Sequence, residues 1–187
     1  MAQEKTGAMV LKRTVVMVGM MGAGKTAVGR ALALRLGVPF LDSDAEIVEA
    51  AKASIAEIFA RDGETFFRKR ESEVIARLLA GPPAILSTGG GAYLAEVNRR
   101  AIGEAGVAVL LDAPLDLLWE RVRHKDTRPL LRTANPRATL EEIYAQRAPV
   151  YGLAELHVTV DPGWSIAETT DQVIAVLKTR HDILETR

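Results

Sequence analysis

The sequence predicts an α/β protein with three layers, in which helices cover both faces of a mostly parallel sheet of about five strands. Short apolar runs of strand length recur along the chain, and helical patterns with clear start signals lie between them. The chain has 187 residues, 48% of them hydrophobic, which is enough for one compact core.

The predicted strands are continuous apolar runs, as expected of strands buried on both faces. They cover residues 14–18, 39–41, 84–86, 107–111 and 157–160. A first helix is predicted over residues 27–36 and ends at Gly37, while Pro114 suits the first turn of another helix. Three pairs at capping-box spacing predict further helix starts: Ser54 with Glu57, Thr139 with Glu142, and Ser165 with Glu168.

The chain is predicted to form a flexible N-terminal arm, residues 1–13, and a single domain, residues 14–187. Residues 123–137 interrupt the alternation of strands and helices with a basic, proline-containing stretch that is longer than a connector needs. We expect this stretch to be a mobile lid because it has few apolar residues to hold it down. A solvated surface loop is the alternative.

Composition excludes several classes of function. Lys and Arg together number 24, as do Asp and Glu, and a chain with no net charge is a poor candidate for binding nucleic acid. The absence of cysteine excludes disulfides, thiolate nucleophiles and iron–sulfur clusters, and the three histidines are too scattered to hold a metal. Without a signal peptide or an apolar run of about 18 residues, we expect a cytoplasmic protein that does not bind a membrane.

The strongest motif is the phosphate-binding loop GMMGAGKT at residues 19–26, which follows a predicted strand and precedes a predicted helix. Its glycines let successive backbone N–H groups point at phosphate oxygens, Lys25 supplies a charge near the β and γ phosphates, and Thr26 offers a hydroxyl to Mg²⁺. A glycine-rich turn that only packs a helix on a strand would not require the Lys-Thr pair. The motif therefore predicts a nucleoside triphosphate ligand.

Two further groups of residues follow predicted strands. Asp42 and Asp44 come just after the second strand, where Asp42 is predicted to hold the metal through water and Asp44 to orient or deprotonate an acceptor hydroxyl. The alternative for Asp44 is an N-cap of the next helix. Three consecutive glycines at 89–91 predict close approach of the backbone to a ligand, with a flexible hinge as the alternative.

Two arginines are ambiguous from composition. Arg68 lies in a dense charged helical segment, FRKRE, whose plain interpretation is a solvated face with pairs such as Glu64 and Arg68. Arg147 lies near the end of a predicted helix, where arginine is common because it interacts favourably with the helix dipole. Neither residue predicts a function without further information.

Taken in order, the motifs resemble the shikimate kinase family, and the resemblance covers about residues 15–177. The segments that carry it are GMMGAGKT, DSD, SIAEIFARDGE followed by FRKRE, STGGG, TRPLL and QRAPVY. The resemblance implies a strand order of 2-3-1-4-5 among the five predicted strands. It also implies transfer of a phosphoryl group from ATP, with Mg²⁺, to the 3-hydroxyl of shikimate, a step of the chorismate and aromatic amino acid pathway.

The resemblance also implies roles for individual residues. Lys25, Asp44 and Arg128 would be catalytic, with Arg128 brought over the phosphates by the lid, while Arg121 would stack on adenine. Arg68 and Arg147 would hold the carboxylate of shikimate, which a bidentate guanidinium suits. The full implied sets are Gly22, Ala23, Gly24, Lys25, Thr26, Ala27, Arg121 and Arg128 for ATP; Thr26 and Asp42 for Mg²⁺; and Asp44, Arg68, Gly90, Gly91 and Arg147 for shikimate.

Two positions depart from the usual pattern of the family, Ala27 in place of Ser or Thr and Ser87 in place of Ala, and neither removes an implied ligand. The nearest alternative function is a kinase of another small hydroxy acid such as gluconate. A nucleotide-controlled switch protein would carry N-K-x-D and D-x-x-G motifs, which this sequence lacks. A nucleotide-binding scaffold that has lost activity would lack catalytic residues, whereas this sequence has a suitable residue at every implied catalytic position. We expect a monomer whose partner is the small-molecule substrate.

Overall fold

The central feature is a parallel sheet of five strands with the order β3-β4-β2-β5-β6. The structure, a computed structural model, describes residues 9–124 and 129–186. The predicted α/β class is confirmed, and so is the predicted order, because the first predicted strand corresponds to β2. The strands of the chain are β1 (Met9–Leu11), β2 (Thr14–Val18), β3 (Phe40–Asp42), β4 (Ile85–Ser87), β5 (Gly106–Asp112), β6 (Leu156–Thr159) and β7 (Leu184–Thr186).

The described part of the chain has seven α-helices. Their bounds are α1 (Lys25–Leu36), α2 (Ser43–Ala51), α3 (Ile55–Leu79), α4 (Glu96–Ala105), α5 (Leu115–Val122), α6 (Pro136–Tyr151) and α7 (Ile166–Leu177). Helix α3 is broken at Gly63, whose φ of 83° lies in the left-handed region that favours glycine. None of the described helices has the length and apolarity that crossing a membrane would need.

Two of the three predicted capping boxes are confirmed, at Ser54 before α3 and at Ser165 before α7. The third prediction is wrong, because α6 begins one turn before Thr139. Asn135 is its N-cap and accepts from the Ala138 N–H at 3.2 Å, and Pro136 takes the first helical position. A cap followed by proline is a stronger start signal than Thr139, which becomes an interior residue of the helix.

The carboxyl ends of the parallel strands meet at one edge of the sheet and position the residues of the candidate site. All five residues of β2 are buried, since the strand lies between β4 and β5 and helices cover both faces. Ser87 at the end of β4 is in register with Met17 of β2 and with Asp42 of β3. The phosphate-binding loop, the two aspartates and the three glycines therefore leave the sheet side by side.

The described part of the predicted N-terminal arm is ordered structure rather than a loose segment. Residues 9–11 form β1, which pairs antiparallel with β7 near the end of the chain, and Leu11 is buried in the main core. Lys12 also forms an ion pair with Glu185 at 3.2 Å. The sequence did not reveal this pairing because both strands are three residues long and lie far apart in the chain. Residues 1–8 are outside the described residues.

The predicted lid, residues 123–137, is described only in part. Residues 125–128 are outside the described residues, so the predictions for Arg128 are not tested. A short 3-10 turn at Pro129–Leu131 follows, and Leu131 is buried in the core. Arg137, in the first turn of α6, forms an ion pair with Asp116 of α5 at 2.7 Å. The expectation that the whole stretch lacks anchoring burial is thus wrong for its C-terminal part, because Leu131 provides it.

Candidate active site

The phosphate-binding loop has the backbone geometry of an anion site. Gly22 and Gly24 have φ values of 84° and 100°, which an L side chain rarely adopts. A Cβ on Gly22 would also lie 2.8 Å from Cγ1 of Val122, so glycine is needed there for packing as well. Gly24 is the N-cap of α1 and provides no side-chain acceptor, which leaves the first N–H groups of the helix available to phosphate oxygens.

The two polar side chains of the loop face different partners. The Lys25 ammonium donates to the carbonyl oxygens of Gly19 at 2.8 Å and Met20 at 3.0 Å, so it lies over its own loop. The Thr26 hydroxyl is 3.4 Å from the hydroxyl of Ser87 at the end of β4. Sequence reasoning treated Ser87 only as a departure from the family pattern, and its position opposite Thr26 depends on the pairing of β2 with β4.

An open cleft of about 470 Å³ lies over this loop. Ten of the implied site residues line it: Gly22, Ala23, Gly24, Lys25, Thr26, Ala27, Asp42, Asp44, Gly90 and Arg121. Arg68, Gly91 and Arg147 are not in its wall but lie just beyond Gly90. Trp164, to which sequence reasoning gave no function, also lines the cleft, because the turn between β6 and α7 reaches it. No pattern around this isolated tryptophan could have shown that.

Asp42 is the helix cap, which the sequence analysis had considered for Asp44. Its Oδ1 accepts from the backbone N–H groups of Asp44 at 3.0 Å and Ala45 at 3.2 Å, which fixes the start of α2. The capping alternative for Asp44 is therefore wrong. Because the cap turns the chain at this point, Asp44 enters the first turn of α2 and its carboxylate reaches the glycines that follow β4.

Each of the three consecutive glycines has a charged side chain beside its α-carbon. A Cβ on Gly89 would lie 2.8 Å from Oδ1 of Asp44, and a Cβ on Gly91 would lie 2.5 Å from Nη2 of Arg68. A Cβ on Gly90 would meet Nη1 of Arg147 at 3.5 Å. None of the three glycines has a positive φ, so close approach and not backbone freedom explains two of them. The close approach that the structure shows is to the protein's own charged groups, and the predicted approach to a ligand stays a prediction.

Arg68 is held by a buried carboxylate. Its Nη1 donates to Oε2 of Glu71 at 2.8 Å, and the Glu71 side chain is only 1% exposed. Burial raises the pKa of Glu71, and the charge and hydrogen bond of Arg68 oppose that rise. Burial by itself would lower the pKa of Arg68, but Glu71 and Glu64 together outweigh it and the pKa is raised, so the guanidinium stays charged. The predicted pair of Arg68 with Glu64 exists at 3.4 Å. The solvated-face interpretation is nevertheless incomplete, because Arg68 is only about one-third exposed and also pairs with the buried Glu71.

The Arg121 guanidinium, which α5 carries, contacts the backbone of the phosphate-binding loop. Its Nη1 donates to the carbonyl oxygens of Gly22 at 3.1 Å and Ala23 at 3.2 Å. These bonds join α5 to the loop and place the guanidinium in the wall of the cleft. Trp164 lines the same cleft. The cleft thus has an aromatic ring and a planar cation in its wall, both of which can stack on a nucleotide base.

The comparisons with known proteins agree with this geometry. The shikimate kinase family model matches residues 21–178. The shikimate kinase of Ruegeria pomeroyi is 69% identical over 179 residues, which are 96% of this chain and 92% of that protein. The shikimate kinase of Cereibacter sphaeroides is 63% identical over 176 residues, 94% of this chain and 88% of that protein.

Solved structures give the same result. The shikimate kinase from Acinetobacter baumannii, in complex with shikimate, superposes with a TM-score of 0.83 at 35% identity and covers 90% of this chain and 94% of that chain. A gluconokinase from Sinorhizobium meliloti, with a TM-score of 0.59 at 20% identity over 90% of this chain and 93% of that chain, shares the fold alone. On the family match and the two close relatives, the chain belongs to the shikimate kinase family.

Proposed function

We propose that this chain transfers the γ-phosphoryl group of ATP to the 3-hydroxyl of shikimate, giving shikimate 3-phosphate and ADP. One observation carries the proposal beyond family membership. A carboxylate and two guanidinium groups, from Asp44, Arg68 and Arg147, converge on residues 89–91 at the end of the nucleotide cleft. An acid that carries a carboxylate and ring hydroxyls is the kind of acceptor that this set of charges recognises.

On the nucleotide side, the chain supplies position and positive charge. The N–H groups from Gly22 to Ala27 bind the phosphates, and Lys25 moves its ammonium from the loop carbonyls towards the β and γ phosphates. Arg121, beside Trp164, contacts the base. Because phosphoryl transfer needs little covalent help, these contacts contribute mainly by orienting the γ-phosphorus and neutralising charge.

The oxygen donors at the strand ends fit Mg²⁺. Thr26 and Ser87 contribute hydroxyls 3.4 Å apart, and Asp42 is in register with Ser87 and lines the same cleft. In residues 9–124 and 129–186 no three His, Cys, Asp or Glu side chains form a metal-binding group. That suits an ion held by few protein ligands, phosphate and water. Thr26, Ser87 and Asp42 would hold Mg²⁺, and the bound ion would supply positive charge that neutralises the charge developing on the phosphates.

On the acceptor side, each charge has a separate task. Arg68, held by Glu71, and Arg147 bind the carboxylate and orient the ring, while the N–H groups of Gly90 and Gly91 are available to it. Asp44 accepts a hydrogen bond from the reacting hydroxyl and takes its proton as the new P–O bond forms. Arg128, from the lid, then stabilises the charge on the transferring group and excludes water.

The activity is tested by measuring ADP release with Mg²⁺ and ATP in the presence of shikimate, gluconate or nucleoside monophosphates. We expect shikimate alone to stimulate ATP consumption well above background. Equal stimulation by gluconate would contradict the substrate assignment, because it would mean that the two arginines do not select a cyclic acid.

The acceptor site is tested by Arg68→Lys, which keeps the charge and loses the planar fork. A charge-assisted hydrogen bond contributes roughly 1.5–3 kcal/mol, so the Kd for shikimate should rise about 10-fold or more. The Kd for ATP should not change, since Arg68 is outside the wall of the nucleotide cleft. An unchanged Kd for shikimate would remove Arg68 from the proposed site.

We further propose that the chain works as a cytoplasmic monomer with a single domain, which includes β1 as well as the predicted residues 14–187. The proposed site residues in the described part converge within one chain, so the site does not need a second copy to complete it. Sedimentation at assay concentrations tests the oligomeric state, and cell fractionation tests the location. A stable dimer in sedimentation would contradict the first of these.

A further inference from the structure

Tyr151 carries a buried hydroxyl to which neither the sequence motifs nor the proposed reaction gives a task. It is the last residue of α6 and is 3% exposed. Its hydroxyl donates to the carbonyl oxygen of Gly90 in a short hydrogen bond. This contact joins the end of α6 to the loop of three glycines, two segments that are 61 residues apart in sequence.

The same hydroxyl lies next to Arg147. The two side chains are four residues apart on α6 and so share one face of the helix. A Cβ on Gly90 would meet Nη1 of Arg147 at 3.5 Å and the Tyr151 hydroxyl at 3.8 Å, so both tips lie beside one α-carbon. Burial raises the pKa of Tyr151, and the positive charge of Arg147 nearby opposes the rise. The hydroxyl is thus protonated at neutral pH and can donate.

The guanidinium of Arg147, the hydroxyl of Tyr151 and the carbonyl of Gly90 differ in whether they can donate or accept a hydrogen bond. A guanidinium can only donate and a backbone carbonyl can only accept, so a side chain that links Arg147 to the Gly90 carbonyl must be able to do both. A hydroxyl has one donor hydrogen and acceptor lone pairs. The Tyr151 hydroxyl, which donates to Gly90, can therefore also accept from Arg147 beside it.

We infer that Tyr151 is a positioning residue for the acceptor site: its hydroxyl holds the Arg147 guanidinium and the glycine loop in one arrangement before shikimate binds. The inference rests on the proposed function, in which Arg147 binds the carboxylate of shikimate. Tyr151 itself touches neither substrate. Loss of its hydroxyl therefore affects the binding of shikimate through Arg147 and leaves the nucleotide site unchanged.

The experiment compares Tyr151→Phe with Tyr144→Phe, the same substitution two turns earlier on the same helix. Tyr144 is partly buried and has no part in the proposed site. For Tyr151→Phe we expect the KM for shikimate to rise about 10-fold, the change that loss of one hydrogen bond produces, with kcat and the KM for ATP within about twofold of wild type. Tyr144→Phe should leave all three constants unchanged.

A double-mutant cycle separates positioning from a general structural role. If Tyr151 acts through Arg147, then adding Tyr151→Phe to Arg147→Ala should change the KM for shikimate by less than about twofold. Effects that multiply would overturn the inference, and so would an equal loss of ADP affinity in Tyr151→Phe. Wild-type enzyme without shikimate-dependent ATP consumption would refute the proposed function, whereas an active wild type with an unaffected Tyr151→Phe would refute this inference alone.

Discussion

Replacing Gly91 by alanine would place a methyl group against the guanidinium of Arg68. The new Cβ would lie 2.5 Å from Nη2, 2.7 Å from Nη1 and 2.8 Å from Cζ. Ordinary van der Waals contact begins at 3.4 Å, so the guanidinium must retreat by about 0.9 Å from the glycine loop. Gly91 has a φ of −90°, which alanine adopts without strain. The substitution therefore moves the arginine and leaves the backbone in place.

The expected effect follows from that displacement. A shift of about 1 Å in a substrate-positioning group costs up to about 10²-fold, and a lost charge-assisted hydrogen bond costs roughly 1.5–3 kcal/mol, or about 10- to 100-fold. We therefore expect the KM for shikimate to rise 10- to 100-fold. Stability should fall only if the displaced guanidinium also loses its hydrogen bond to the buried carboxylate of Glu71, and thermal unfolding measures that loss separately from the KM.

The assay is steady-state ADP release with shikimate varied at saturating ATP, together with thermal unfolding. Gly103→Ala is the matched control, since a Cβ there would meet its nearest neighbour, Oε1 of Glu155, at 3.7 Å. Gly103 is an exposed residue inside α4, where alanine should stabilise the protein by about 0.5–1 kcal/mol. Its kinetic constants should match those of wild type.

Two results would refute this reasoning. The first is a wild-type KM for shikimate in Gly91→Ala, which would mean that the position of Arg68 does not matter for binding. The second is a further rise of the KM when Gly91→Ala is added to Arg68→Ala, because the methyl group would then act on something other than the arginine.

Three further predictions concern other parts of the site. Burial raises the pKa of Glu71 above 4.5, so the folded protein holds this proton more tightly than the unfolded chain does; the free energy of unfolding should fall as pH rises from 4.5 through the raised value. Urea unfolding should show a smaller fall in Glu71→Gln, and equal slopes would contradict this. ADP should change the fluorescence of Trp164 in the cleft wall, a signal retained in Trp119→Phe and lost in Trp164→Phe. Arg128→Ala should lower kcat at least about 10²-fold with little change in shikimate affinity, whereas Arg123→Ala should not; near-normal kcat in Arg128→Ala would remove it from the mechanism.

The sequence alone determined the parts of this protein that depend on neighbours along the chain. The phosphate-binding loop, with its flanking strand and helix, is one local unit, and its glycines and Lys-Thr pair indicate phosphate binding without any knowledge of the fold. The capping boxes at Ser54 and Ser165 are also local, because cap and helix lie within four residues. The α/β class followed from the alternation of apolar runs and helical patterns, and the strand order came from the family resemblance.

Only the tertiary structure decided which distant side chains meet. Composition placed Arg68 on a solvated face. Its pair with Glu71 is local to α3, but only the fold buries Glu71 and brings Arg68 against Gly91. Asp42 and not Asp44 became the helix cap, since the end of β3 and the start of α2 coincide at Asp42. The contact between Tyr151 and Gly90 depends on how α6 packs beside the sheet edge. Such contacts have no signal in local sequence, because a hydrogen bond between segments far apart in the chain forms only when packing of the core has brought them together.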